Sequence, residues 1–198
     1  MSRKLKSTSI RQWRALAALT AFVLSGTVFA NSPERTKDLI EPYVRGINLQ
    51  GQGRMTFWGF DVYDARYYRA DQRGQNGFAL ELNYLRSFKG ADITKRTMDE
   101  MERLGVSESK RTLWAKNLDA IFPDVVSGTS LTAIHVPERG TVFLHNGKPV
   151  GEIAGDEFAK SFFAIWLDAR TTAPKLRTAL IGQACPPLIV SPTCEPSR

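Results

Sequence analysis

Apolar side chains in the first half of the chain recur at a spacing typical of β-strands. Residues 31–46 form a polar lead-in, after which the pattern becomes strand-like from Ile47 to Tyr68. Residues 56–68 begin apolar on both alternating faces, which predicts a long strand covered on both sides. Gly51 and Gly53 interrupt the strand-like region and indicate a bulge or a tight turn.

The rest of the chain predicts short strands and amphipathic helices. Residues 78–84 alternate apolar and polar side chains, as expected for a half-buried strand. Two helices follow, one capped by Asp92 and stopped by Gly105, the other capped by Ser107. The inward positions of the second helix are Leu113, Trp114, Leu118 and Ile121. Later elements are strands at 130–136, 141–146 and 149–153 and helices at 156–167 and from 172–174 to Gly182.

This order of strands, helices, a hairpin and further helices predicts an α+β fold, with an antiparallel sheet packed on segregated helices. A length of 198 residues suits one domain plus a leader. We therefore divide the chain into a leader at 1–30, one domain at 31–182 and a tail at 183–198 that contains prolines and both cysteines.

The net charge of +7 comes mostly from the first thirty residues. The basic residues there are Arg3, Lys4, Lys6, Arg11 and Arg14. No acid accompanies them, so the remaining chain has 22 basic and 20 acidic side chains and a charge of +2. This small excess does not favour nucleic-acid binding.

The same thirty residues resemble a secretory signal peptide. A basic stretch, an apolar run at 15–24 and small residues around Ala30 follow the expected order. The alternative is an uncleaved anchor, although the apolar run is shorter than the ~20 residues that a membrane span needs. We expect cleavage after Ala30, no membrane span in the mature protein, and a periplasmic or secreted product.

The two cysteines, Cys185 and Cys194, both lie in the tail. An oxidising compartment would permit a disulfide that staples the tail rather than the core. Without a histidine nearby, the pair lacks the ligands of a metal site, and we expect none.

Motifs for catalysis or cofactor binding are missing from the sequence. It has no Walker loop, no dinucleotide-binding glycine pattern, no Gly-x-Ser-x-Gly elbow and no His-Glu-x-x-His motif. We therefore expect no cofactor and assign no catalytic residue. His135 fits a structural role in a strand and His145 a solvated one. Asp61 interrupts an aromatic run, where it either pairs with Arg45 or Arg66 or faces water at a strand end.

Aromatic residues are concentrated between positions 57 and 84. They are Phe57, Trp58, Phe60, Tyr63, Tyr67, Tyr68, Phe78 and Tyr84. Such a set either lines an apolar cleft with polar tips or packs within the core.

Several segments, taken in order, resemble the bacterial chalcone isomerase-like family over residues 45–182. They are FWGFDVYDARYY at 57–68, MDEMERLG at 98–105, FPD at 122–124, FLHNGKPVG at 143–151 and FFAIWL at 162–167. The resemblance implies an open-faced β-sandwich, in which a large antiparallel sheet carries a layer of helices on one side. It also implies relatives of two kinds, plant enzymes that close a flavanone ring and non-catalytic members that bind fatty acids.

The resemblance carries over to only part of the enzyme site. In the plant enzymes an Arg and a Thr near the start of the sheet, with a Tyr and an Asn on a helix, polarise the ketone and hold water. Arg45 and Thr56 lie in segments similar to the first pair, whereas Lys89 and Arg96 stand at the places of the helical Tyr and Asn. This departure argues against chalcone cyclisation.

We therefore expect an exported, non-catalytic protein that binds an apolar small molecule such as a fatty acid or a flavonoid. Arg45 would contact an anionic group, Thr56 would donate a hydrogen bond, and Trp58 and Tyr84 would form apolar walls. The alternatives are an intramolecular lyase or isomerase acting on an enone or flavonoid-like substrate, and a periplasmic protein that binds a protein partner without a ligand.

Overall fold

The computed structural model describes residues 32–70 and 77–194. The predicted signal peptide at 1–30 lies outside these residues, as do most of the loop after Ala70 and the last four residues of the tail. Within the described part, no helix is long and apolar enough to cross a membrane.

In residues 32–70 and 77–194, six antiparallel strands form one sheet, and their order in the sheet is their order in the chain. Each strand pairs with the next strand in the chain, and every neighbouring pair is antiparallel. A hairpin or a longer connection joins the two strands of each pair. The strands are β1 (Ile47–Phe57), β2 (Phe60–Ala70), β3 (Phe78–Tyr84), β4 (Ser130–Val136), β5 (Gly140–His145) and β6 (Lys148–Ala154).

Five helices of the described residues surround the sheet unequally. They are α1 (Pro33–Ile40), α2 (Gly90–Arg103), α3 (Glu108–Ile121), α4 (Asp156–Leu167) and α5 (Pro174–Ile181). The last four share the larger apolar core with one face of the sheet, and α1 covers part of the other face with a smaller core. The α+β prediction is confirmed, and α4 and α5 lie where the sequence predicted them.

The helix α1 was missed by the sequence prediction, which treated residues 31–46 as a polar lead-in. Ser32 caps it by accepting a hydrogen bond from the Arg35 amide at 3.3 Å, and Pro33 occupies its first turn. Thr36 Oγ1 donates to the carboxylate of Glu81 on β3 at 2.8 Å. Since α1 covers this side of the sheet, β3 is buried on both faces and not half-buried as predicted.

Polar contacts beneath α1 satisfy the buried Glu81 carboxylate. Arg66 Nη1 donates to its second oxygen at 3.0 Å. Burial dominates these favourable contacts and raises the pKa of Glu81. The link from Thr36 to Glu81 therefore joins α1 to the middle of the sheet by a hydrogen bond shielded from water.

The long covered strand predicted over residues 56–68 is wrong. The chain instead reverses at Trp58 and Gly59, whose φ angles of 52° and 80° fit a two-residue hairpin turn. Phe57, Trp58 and Phe60 at this turn are 53%, 85% and 60% exposed. We call these three side chains the aromatic tip.

Asp61 lies beside the aromatic tip and is not buried. Its side chain is 46% exposed and accepts from Arg54 Nη1 at 2.8 Å. Arg54 also contacts Asp64 at 2.6 Å, so one guanidinium serves two carboxylates across the β1–β2 pair. Neither Arg45 nor Arg66 is the partner, because Arg54 is the cation directly opposite this part of β2.

The glycines of β1 allow close packing of α5. The register shifts between Leu49 and Gly51, so the strand bulges at this point, which is one of the two alternatives that the sequence indicated. A Cβ atom at Gly51 would lie 2.4 Å from the carbonyl oxygens of Ala179 and Leu180. Only glycine therefore lets the end of α5 rest against the strand.

The tail after α5 folds back onto the core. Cys185 and Cys194 form a disulfide with their Cα atoms 5.6 Å apart. Between them, Val190 is buried and belongs to the larger apolar core. The disulfide thus closes a short loop that places an apolar residue against the domain.

Replacing Trp58 with Asn should stabilise the protein. A bulky residue at positive φ is strained, whereas Asn adopts this conformation readily and precedes Gly in the favoured hairpin turns. We expect the free energy of unfolding, measured by urea denaturation, to rise by about 1 kcal/mol. Trp58→Ser is the matched control, because it removes the same exposed ring without supplying a turn-forming side chain. An equal effect of both substitutions would contradict the strain explanation.

Candidate functional site

A cavity of about 200 Å³ lies between the sheet and the helices α2 and α4. Side chains of β1 to β5 form its floor, and Phe162, Ile165 and Trp166 of α4 form much of its roof. Ala133 lies on this floor and is the smallest side chain that the central strands contribute there. The lining is mainly apolar, which suits a hydrophobic guest.

Polar side chains lie at one side of the cavity, on α2 and on the segment after α4. They are Asp92, Arg96, Thr97, Glu100 and Thr172, in addition to the hydroxyls of Tyr63 and Tyr84. Asp92, Arg96 and Thr172 are exposed to solvent, so the cavity opens to water beside them. We call this opening the mouth.

Tyr63 connects the sheet to the roof of the cavity. Its hydroxyl accepts a hydrogen bond from Trp166 Nε1 at 2.9 Å, and it keeps its own proton as a donor. Desolvation raises the pKa of Tyr63 to about 12, and the nearby charges of Arg96 and Glu100 also act on it. The hydroxyl, the guanidinium and the carboxylate therefore lie close to one another at the mouth.

Tyr84 offers a second hydroxyl from the floor. Its ring packs against those of Tyr63 and Phe88, with centroids 5.9 Å and 5.8 Å away. Burial raises the pKa of Tyr84, so the hydroxyl stays protonated at neutral pH. No residue in the ranges 32–70 and 77–194 forms a hydrogen bond with it, which leaves it available to a guest.

Glu100 organises the charges around the mouth. This buried carboxylate accepts hydrogen bonds from Arg96, from Arg103 Nε at 2.9 Å and from Thr172 Oγ1 at 3.0 Å. Two guanidinium groups surround this carboxylate, and Asp92 adds a second carboxylate at the mouth, so the formal charges of these four groups balance. Arg96, whose side chain is 56% exposed, is the cation that also lines the cavity.

Of the four residues predicted to bind a ligand, Tyr84 alone lines this cavity. Arg45 is exposed in the loop before β1, Thr56 is exposed on β1, and Trp58 lies in the hairpin turn. Thr56 and Trp58 lie outside the cavity because the chain reverses after Phe57. A continuous strand would have kept both residues in the centre of the sheet.

Residues that the sequence placed at the family's helical positions fall in different surroundings. Lys89 precedes α2 and pairs with Asp124 at 2.6 Å, outside the cavity lining. Arg96 lines the cavity, where it pairs with Glu100. The resemblance to the family indicates only that Arg96 replaces an Asn, and it does not predict a ligand contact there. The i, i+4 spacing of Arg96 and Glu100 on one helix is the signal that could have indicated a charged pair facing the sheet.

Comparisons with known proteins agree with this architecture. A sequence profile described as chalcone isomerase-like matches residues 38–182. A protein of Haemophilus influenzae described as uncharacterised is 26% identical over 136 residues, which cover 67% of each chain. The crystal structure of a fatty-acid binding protein from Arabidopsis thaliana superposes with a TM-score of 0.54 and 12% identity, covering 73% of this chain and 90% of that one. The superposition confirms the predicted fold.

The buried tyrosines should make the protein sensitive to alkaline pH. Burial raises the pKa values of Tyr63, Tyr67 and Tyr84, so the folded state disfavours their deprotonated forms. Their protonated forms are fully compatible with folding below the unfolded pKa of about 10, and stability is lost as pH rises above it. We expect the free energy of unfolding to fall from about pH 10, where the unfolded chain begins to ionise, to about pH 12, where Tyr63 itself ionises in the folded state.

Tyr63→Phe tests the origin of that decline. The variant should be about 1 kcal/mol less stable at neutral pH, because Trp166 Nε1 loses its acceptor. Its stability should also fall less steeply with pH, since one titrating group is gone. Urea denaturation at a series of pH values measures both effects. If the free energy of unfolding falls as steeply with pH as in the wild type, the pKa of Tyr63 is not raised in the folded state.

Proposed function

The chain belongs to the chalcone isomerase-like family, and we propose that it is an exported protein that binds an apolar small molecule in the cavity between the sheet and α2 and α4. The observation that carries this proposal is the cavity itself. An apolar space of about 200 Å³ with polar groups at one side has the form of a ligand site and not of a closed core.

The size of the cavity limits the guest. Drug-sized ligands occupy pockets of about 300–1,000 Å³, and a dry cavity of about 150 Å³ holds one benzene ring. The present volume of about 200 Å³ therefore suits a short alkyl chain or one to two rings. A longer molecule would extend through the mouth. Medium-chain carboxylic acids fit this description, and the fatty-acid binding protein with the same fold supports the ligand class.

The polar groups at the mouth suit an anionic head group. Arg96 supplies a guanidinium, and Tyr63 and Tyr84 supply protonated hydroxyls that donate hydrogen bonds. Charge-assisted hydrogen bonds to a carboxylate are stronger than neutral ones, particularly where water is scarce. We therefore assign the anion contact to Arg96 in place of Arg45. Glu100 restrains this guanidinium and lowers the local positive charge, which weakens the attraction for an anion and favours its release.

Export rests on the amino-terminal pattern and on the tail. Residues 1–30 have the regions of a secretory signal peptide, and a disulfide such as Cys185–Cys194 persists in oxidising compartments. Both features support a periplasmic or secreted location.

Isomerisation of an enone or flavonoid-like substrate is the second candidate. Two protonated tyrosine hydroxyls and a guanidinium at one end of an apolar cavity are the kind of donors that stabilise a developing oxyanion. Consumption of a 2′-hydroxychalcone, followed by its absorbance, would favour this function over simple binding.

Octanoate binding should depend on Arg96 and on the open cavity. We expect Arg96→Ala to weaken octanoate binding about tenfold or more in isothermal titration calorimetry, because a charge-assisted contact is lost. Ala133→Phe should abolish binding by filling the floor. Octanol, which lacks the carboxylate, should bind the wild type and Arg96→Ala equally.

Arg45→Ala is the matched control, since it removes an exposed guanidinium outside the cavity. Equal weakening by Arg45→Ala and Arg96→Ala would overturn the assignment of the anion contact. Retention of octanoate by Ala133→Phe would place the ligand elsewhere. If no acid from octanoate to palmitate and no flavonoid binds, while a protein co-purifies from the host, the partner-binding alternative takes precedence.

A further inference from the structure

The aromatic tip is an unusual surface for a water-exposed hairpin. Phe57, Trp58 and Phe60 are adjacent and all more than half exposed. Single exposed apolar residues are common on proteins, but a cluster of large aromatic side chains marks a contact surface. None of the three lines the cavity, so the proposed ligand site does not account for them.

The backbone at Trp58 adds a second reason to seek a function for the tip. Trp58 has a φ of 52°, in the left-handed region where a bulky side chain is strained. Asn or Gly would form the same turn at lower cost, as Asn146 does at the turn before β6 with a φ of 50°. A strained residue in an exposed position points to a role that the side chain performs outside the fold.

The form of the tip suits insertion into a lipid surface. It is the convex end of a two-stranded ribbon, not a groove that could receive another chain. Tryptophan and other aromatic side chains concentrate at the interface between lipid and water, where the ring is buried among acyl chains and head groups. Three such rings at this level of exposure offer roughly 400 Å² of apolar surface, less than the ~800 Å² per partner of a standard protein interface.

Cations accompany the aromatic rings at the tip. The Arg86 guanidinium lies 5.0 Å from the centre of the Phe60 ring, and the Arg96 guanidinium lies 5.9 Å from that of Phe57. Within residues 32–70 and 77–194, Arg86 forms no ion pair with a carboxylate. Its charge is thus available to a phosphate group, and it offsets the one negative charge that Asp61 and Asp64 retain beside the tip after pairing with Arg54.

We infer that the aromatic tip docks on a membrane surface that contains anionic phospholipids, and that it brings the mouth of the cavity against the bilayer. Met55 and Val62 line the cavity from the strands that end at the tip, and Arg96 touches both the tip and the cavity. A poorly soluble guest would then pass between bilayer and cavity without crossing water. Docking itself stands without the proposed ligand, whereas this route of exchange rests on the proposed function.

Vesicle flotation tests the docking. Wild-type protein should float with vesicles of phosphatidylcholine and phosphatidylglycerol at a ratio of 3:1, and less with phosphatidylcholine alone. Trp58→Ser combined with Phe60→Ser, which leaves the ring of Phe57 beside Arg96 in place, should reduce the bound fraction at least tenfold. Arg86→Gln should reduce binding to the anionic vesicles only. Leu113→Ser is the matched control, because Leu113 on α3 is as exposed, at 59%, but lies away from the tip.

Three results would overturn the inference. The wild type could remain in the bottom fraction with both kinds of vesicle, or Leu113→Ser could reduce flotation as much as the tip variant does. Alternatively, the wild type could elute as a dimer that the tip variant converts to a monomer, without any flotation. That result would identify a second copy of the chain as the occupant. Circular dichroism and urea denaturation of each variant establish that a loss of flotation is not a loss of fold.

A parallel measurement separates this inference from the proposed function. The tip variant should keep wild-type affinity for octanoate in vesicle-free solution, because Trp58 and Phe60 lie outside the cavity lining and Phe57 remains beside Arg96. It should take up a fluorescent fatty acid from donor vesicles more slowly. Flotation without octanoate binding would refute the proposed ligand and leave the docking in place. Octanoate binding without flotation would refute the docking and leave the proposed ligand in place.

Discussion

Aromatic packing between α4 and the sheet sets the dimensions on which the rest of the structure depends. The ring of Phe162 lies 5.4 Å from that of Phe143 on β5 and 5.3 Å from those of Phe163 and Trp166. Large flat side chains hold a helix away from a sheet more firmly than small ones would. Ala133 and Ile165 line the cavity together with Phe162, and the short side chain of Ala133 leaves part of the space between helix and sheet unfilled. The cavity is therefore a direct result of the packing beside it.

The sequence predicted well those elements whose large apolar side chains all face the core. In α4, Phe158 and Phe162 recur at helical spacing because both face the core, and the predicted bounds match the observed ones. The strand predicted through Trp58 is wrong because the hydrophobicity of an aromatic residue does not show whether its ring is buried or exposed. At α1, the cap at Ser32 and the proline after it were visible in the sequence, but the short helix lacks a strong apolar stripe, and its attachment depends on a distant Glu81.

The candidate site was predictable only in part, for a related reason. Tyr84 ends a strand with clear alternation, so its side of the sheet follows from the pattern, and it does line the cavity. Arg45 lies in a segment similar to a family motif, but the direction of a loop side chain cannot be derived from its place in a motif. The contact between Tyr63 and Trp166 joins residues 103 positions apart, and only the packing of α4 brings them together.

The described tryptophans lie in three different surroundings. Trp166 borders the cavity with its indole N–H held by Tyr63, Trp114 lies within the core against Phe158, and Trp58 projects from the hairpin. Indole emission responds to local polarity, so the described part of the chain carries one optical reporter in each of these three surroundings. Replacing the tryptophans singly would separate a signal from the interior of the binding space from one at the outer rim, with the core residue as a constant reference.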